Sequence, residues 1–173
     1  MHGIPGTRII KEGDIVSVDV GAIVDGFHGD SAVTVSVGEI PSQTNHLIKD
    51  TKEALRRGIQ AAKAGNRIGD ISSSIQTFVE EKGYSVVREY VGHGIGRALH
   101  EEPAIPNYVT QGHGAELREG LVIAIEPMVN IGGWETQVLD DDWTVVTADG
   151  SLSAHFEHTI EITDDDPKVL THP

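Results

Sequence analysis

The chain has 173 residues, no cysteine, and 27 acidic against 13 basic side chains, for a formal charge of -14. That length suits a single domain over 1–173 with one sizeable core, and the lack of cysteine excludes disulfides, zinc-thiolate sites and thiol nucleophiles, so any metal must sit on oxygen and imidazole. The acidic balance argues against a nucleic-acid partner, which needs a basic face; no apolar run approaches the roughly 20 residues of a membrane span and no signal peptide opens the chain, so the expected location is the cytoplasm, away from membranes.

In chain order, Gly13 to Val20 reads as a strand rich in β-branched residues, and Val33, Val35 and Val37 alternate in a second strand over Asp30 to Val37. Asp25-Gly26 between them is a turn signal, so the two strands form a hairpin. Leu47, Ile48, Leu55, Ile59 and Ala62 recur at helical spacing over Thr44 to Ala64, with Gly65 as a stop. A second helix is expected over Asp70 to Lys82, with Ile71, Ile75, Phe78 and Val79 on one face. Both stripes read as core faces laid on a sheet.

The run from Val86 to Val91 starts as a strand and breaks into Gly92, Gly94 and Gly96, which flank His93. Glycine lets the backbone bend there and approach a ligand closely, which suits His93 to a metal; His100 follows seven residues later. Pro103 to Gly114 reads as a loop, Leu121 to Asn130 as a buried strand, Gly132-Gly133 as a turn, and Trp143 to Thr147 and Ala154 to Thr163 as two closing strands. The order β-β-α-α-β-β-β-β points to an α+β fold, a curved antiparallel sheet with helices on one face.

Four acids lie within apolar runs. With the turn centred near Val24-Asp25, Asp19 and Asp30 face each other across the hairpin; Asp19 taken alone reads more readily as a solvent-facing residue. Glu126 sits in a run apolar at almost every position, and Glu157 lies in Ala154-His155-Phe156-Glu157-His158. A carboxylate in such a setting costs several kcal/mol unless a partner compensates it. With His93 they form a set of five hard or borderline ligands, and such a set suits two divalent ions about 3.5 Å apart. His46, His113 and His172 read as solvated; His28, His155 and His158 read as packing or supporting residues beside the ligands.

The motifs Val18-Asp19-Val20, Phe27-His28-Gly29-Asp30, Tyr90-Val91-Gly92-His93-Gly94-Ile95-Gly96-Arg97, Leu99-His100-Glu101-Glu102-Pro103, Ile125-Glu126-Pro127-Met128 and Phe156-Glu157-His158-Thr159 resemble those of the bacterial type I methionine aminopeptidases. The resemblance runs from His2 to the end of the chain. It implies a pita-bread fold and metal-dependent removal of N-terminal methionine from nascent proteins and peptides. It also implies roles. Asp19 would chelate one metal, Asp30 and Glu157 would bridge both, and His93 and Glu126 would complete the second. A bridging hydroxide would be the nucleophile and Glu126 the proton shuttle. His100 would polarise the scissile carbonyl, His2 would contact the substrate near the scissile amide, and Trp143 would lie by the pocket. Oxygen and imidazole ligands accept Mn, Fe, Co or Zn.

Family members carry a segment ahead of the motif that begins at His2, so the chain is expected to be N-terminally truncated, with apolar sheet surface left uncovered and prone to self-association. Two other functions compete. A proline-specific peptidase of the same fold would share the metal ligands but differ around His100 and Glu126. A weakly active or inactive pita-bread binding module would need only the fold, and the filled ligand positions argue against it.

Overall fold

The computed structural model describes residues 3–172. Two strands open it, β1 (Ile15–Val24) and β2 (Phe27–Ser36), followed by the helices α1 (Ser42–Ala61) and α2 (Ile68–Glu81). Then come β3 (Ser85–Val86), β4 (Gly92–Gly94), β5 (Glu101–Ile105), β6 (Val122–Ile125), β7 (Met128–Asn130), β8 (Thr136–Val138), β9 (Val145–Thr147), β10 (Ser153–His155), β11 (Glu157–Glu161) and β12 (Lys168–Val169). The main sheet runs β1-β2-β11-β6-β4-β5, with β12 also on β11; β10-β7-β3 form a second sheet and β8-β9 a hairpin. The pairing is antiparallel at each of these ladders.

The hairpin turn is centred one position later than expected, at Asp25-Gly26. Asp25 and Gly26 both have positive φ, 50° and 78°, the two-residue turn that matches strand twist. The register therefore pairs Asp19 with Ala32 and Gly21 with Asp30. Asp19 and Asp30 are not directly opposite, as a turn at Val24-Asp25 would make them. They are diagonal neighbours on one face, still within reach of each other. Alternation puts Val18, Val20, Val33 and Val35 on the other face, where they are exposed.

The two helices carry the expected stripes, with their ends moved by a few residues. Asp70 caps α2 by accepting the Arg67 backbone N–H at 2.7 Å. Leu47, Leu55, Ile71, Ile75 and Phe78 pack on Ile105, Ile123, Ile125 and Ile160 of the sheet in one core. The helices close on each other at Gly58, where a Cβ would sit 2.7 Å from Ile75 Cδ1.

Four local readings change. Gly92 and Gly94 stay within a strand: with His93 they form β4, threaded between β5 and β6, with a register shift against β5 between His93 and Gly94. A Cβ at Gly92 would overlap the Ala124 carbonyl oxygen, and one at Gly94 the Glu102 carbonyl oxygen, so these glycines serve close backbone approach. Pro103 to Ile105, expected as the start of a loop, is the end of strand β5. The run from Leu121 to Asn130 is two strands in different sheets, broken at Glu126-Pro127, because Pro127 has no N–H for a ladder. The last long run breaks in the same way at Phe156, where β10 ends and β11 begins. The two switches lie side by side, with the Phe156 N–H donating to the Pro127 carbonyl at 3.4 Å.

Candidate metal centre

Both sheet switches deliver carboxylates to one place. Glu126 stands at the first break and Glu157 begins the strand after the second. Asp30 comes from β2, which pairs with β11 at Ala32↔Glu157 and Ser31↔His158. His93 comes from β4, on the far side of β6. The result is a small cavity of about 110 Å³ lined by Asp19, Asp30, Tyr90, Val91, His93, His100, Glu126 and Glu157.

Two sets of ligand atoms each lie within 4.8 Å of one another: Asp30, His93 and Glu157, and Glu126, His155 and Glu157. Glu157 belongs to both. Asp19 belongs to neither and stands exposed at the cavity rim, beside Asp30. His155, read from sequence as a supporting residue, joins the second set. A sequence signal existed: in the single strand expected over Ala154 to Thr163, His155 stands two residues before Glu157 and so on the same face.

The Glu126 carboxylate lies between two imidazoles, with Oε1 3.7 Å from His93 Nε2 and Oε2 3.7 Å from His155 Nε2. These gaps are too long for hydrogen bonds, yet an ion with bonds of about 2.1 Å spans them. His93 Nδ1 lies 2.9 Å from the Gly94 carbonyl oxygen and therefore carries the proton, leaving the Nε2 lone pair for the cavity. Burial lowers the His93 pKa, so the ring is neutral at neutral pH, the form that binds metals.

The acids are strained electrostatically without a cation. Burial first, and then the charges of Asp19 and Asp30, raise the Glu126 pKa. Burial, with Glu126 and Asp30 beside it, raises that of Glu157 further. Partial burial and the Asp30 charge push Asp19 up as well. Glu157 is 2% exposed, and its Oε1 meets no hydrogen-bond partner among the described residues. An orphaned buried oxygen within a set of carboxylates and imidazole is what a divalent ion would satisfy, so the residues fit two such ions.

A pH dependence follows. The ordinary glutamate value is 4.5 and both buried glutamates lie above it when folded. Above pH 4.5 the folded, metal-free protein therefore holds protons that the unfolded chain releases, so stability falls as pH rises. His93 and His158, whose pKa values burial lowers from 6.5, oppose this only up to about that pH. The metal-free melting temperature should therefore decline above pH 6.5, and a divalent ion should reverse the decline, since it binds the deprotonated carboxylates. Thermal scans with and without chelator across this range check it.

A larger cavity of about 570 Å³ adjoins the first and shares Asp19, Asp30, Tyr90 and His100 with it. Leu99, Val138, Trp143 and Val145 give it an apolar wall, and Trp143 is 55% exposed at its edge. His100 is exposed between the cavities, its ring edge-on to that of His93 at 4.4 Å. Its loop is tied to the hairpin tip: the His28 N–H donates to the Gly96 carbonyl at 2.8 Å, and Arg97 covers the Phe27 ring at 3.8 Å. His158 points elsewhere, its Nδ1 2.8 Å from Thr171 Oγ1. His2 lies outside the described residues.

The profile of the metallopeptidase family M24 matches residues 1–164. Methionine aminopeptidase 1 of Bacillus subtilis is 53% identical over 171 residues, which are 99% of this chain and 69% of that protein. Among solved structures, a methionine aminopeptidase from Thermotoga maritima superposes with TM-score 0.93 at 53% identity, over 96% of this chain and 67% of that one. A prolidase from Pyrococcus horikoshii superposes with TM-score 0.77 at 28% identity, over 99% of this chain and 44% of that one.

Proposed function

The chain belongs to metallopeptidase family M24, and from that premise we infer that it removes N-terminal methionine from proteins and peptides by metal-dependent hydrolysis. The observation that carries the reading is the pair of ligand sets joined at Glu157, whose buried Oε1 is otherwise unsatisfied. As the resemblance has it, Asp19 and Asp30 would hold one ion and His93 and Glu126 the other, with Asp30 and Glu157 serving both. Without metal the ligand atoms group otherwise, His93 with Asp30 and Glu126 with His155, and Glu157 alone is common to both divisions as a shared ligand. Two divalent ions bound there would supply a water activated at neutral pH and a polarised carbonyl.

The chain's own groups do the rest. The Glu126 carboxylate takes the proton from the attacking water and passes it to the leaving amine. His100 donates a hydrogen bond to the carbonyl oxygen as negative charge develops on it. His2 contacts the substrate near the scissile amide. Trp143, with Leu99 and Val138, walls the cavity that takes the methionine side chain. The substrates are nascent chains, which places the work in the cytoplasm; no helix of the described residues is long and apolar enough to cross a membrane.

The test is a titration of metal-free protein with Mn, Fe, Co or Zn, assayed for free methionine from Met-Ala-Ser. Release that depends on metal supports the reading; metal-loaded protein that leaves this peptide intact and cleaves an Xaa-Pro dipeptide overturns it.

The exposed hairpin face of Val18, Val20, Val33 and Val35 offers a surface for a second copy of the chain. Sedimentation should show association that rises with concentration and is lost on Val18→Lys. Monomers at high concentration would remove this part of the reading.

A further inference from the structure

We propose that Thr34 and Thr159 are positioning residues for the metal centre, each inserting its side-chain hydroxyl into the ladder between β2 and β11. The proposal rests on the reading of Asp30 and Glu157 as metal ligands.

β2 is tied to β11 by two residue pairs, Ala32↔Glu157 and Ser31↔His158. Continuing that register would set Asp30 against Thr159 and Thr34 against His155, but the backbones do not pair there. At each of these positions a threonine hydroxyl takes over. The Asp30 N–H donates to Thr159 Oγ1 at 2.8 Å, and Thr159 Oγ1 donates to the Asp30 carbonyl at 2.8 Å. At the other end, the His155 N–H donates to Thr34 Oγ1 at 2.8 Å, and that hydroxyl donates to the His155 carbonyl at 2.8 Å. One hydroxyl can accept and donate at once, so each stands in for both bonds of a ladder rung.

The cause of the gap is visible at Thr159. Its own backbone is engaged elsewhere: the Leu170 N–H donates to the Thr159 carbonyl at 2.9 Å, and the Thr159 N–H donates to Thr171 Oγ1 at 3.2 Å. The chain after β12 thus wedges between β11 and β2. Both threonines are buried, Thr159 at 1% and Thr34 at 2% exposure. Their bonds fix the peptide planes of Asp30 and His155, and so the directions from which those side chains enter the two ligand sets. The hydroxyls set how far apart two ligand-bearing strands stand.

The variants Thr159→Val, Thr159→Ser, Thr34→Val and Thr34→Ser separate hydroxyl from shape, since valine keeps the branching and loses the hydroxyl. Metal-free full-length proteins are titrated with Co(II) by calorimetry and by visible absorption, and kcat and KM are measured on Met-Ala-Ser. Thr159→Val and Thr34→Val should each bind Co(II) about 10–100-fold more weakly, as loss of supporting groups does, with an altered Co(II) spectrum. kcat should fall over a similar range with KM changed less than about threefold. The serine variants should restore both.

A Thr159→Val protein with wild-type Co(II) affinity and spectrum overturns the proposal, as does a Thr159→Ser protein as impaired as the valine variant. Should the valine variants not fold, Thr159→Ala against Thr159→Ser decides: equal Co(II) affinities overturn it, and weak binding by alanine alone supports it. Wild-type protein that takes up no Co(II) overturns the metal reading itself.

Discussion

Glu157→Gln should abolish methionine release while leaving the metal-free fold almost unchanged. The two effects separate because of where Glu157 sits. Burial and the neighbouring acids hold its pKa high, so at neutral pH without metal the side chain is already a neutral acid. An amide of the same size changes that state little, and metal-free stability should move by about 1 kcal/mol or less, within the range of shape-conserving changes. With metal the comparison reverses, because Glu157 belongs to both ligand sets and a neutral amide cannot neutralise two dications. Affinity should fall by more than the roughly 10–100-fold typical of groups behind the ligands, and the metal-dependent rise in melting temperature should disappear. Asp30→Asn should follow in the same direction. Wild-type metal affinity in Glu157→Gln would dismantle the proposed ligand set.

His100→Ala should act on a different quantity. The ring is exposed where the small and large cavities meet, edge-on to His93. It holds up no core, so melting temperature and Co(II) affinity should stay near wild type. A donor aimed at a developing oxyanion works mainly in the transition state, and losing one costs about 10²–10³-fold in kcat. KM should change far less, since the ground-state carbonyl asks little of the donor. Steady-state kinetics of metal-saturated protein check the split. An unchanged kcat would remove His100 from the chemistry; a loss confined to stability would make it a structural histidine.

The sequence determined the elements that local pattern controls. The hairpin, the two amphipathic helices and the buried apolar runs follow from periods of 2 and 3.6 and from turn chemistry at Asp25-Gly26. The identities of the acids also follow, because a carboxylate inside Leu121 to Val129 or beside Phe156 has no cheap explanation apart from a cation. The six motifs then pointed to the M24 metallopeptidases, as the 53% identity to the Bacillus subtilis relative bears out.

Other features were decided by tertiary structure. Whether Gly92 and Gly94 bend or thread depends on the carbonyls of Ala124 and Glu102, which come from β6 and β5 and which no local window contains. Pro127 marks the first break in sequence through its missing N–H, whereas the break at Phe156 looks like continuous strand; that both become switches between two sheets is decided by the tertiary pairing. That pairing brings His155 to Glu126 and turns a presumed packing residue into a member of the site. The hydroxyl rungs at Thr34 and Thr159 were likewise decided by tertiary structure. A threonine in a strand signals β propensity alone, and its use as a rung depends on what occupies the neighbouring backbone, which at Thr159 is the segment Leu170-Thr171. Periodicity shows which face a residue takes on its own strand, whereas the distance between ligands on different strands is set by what lies between those strands.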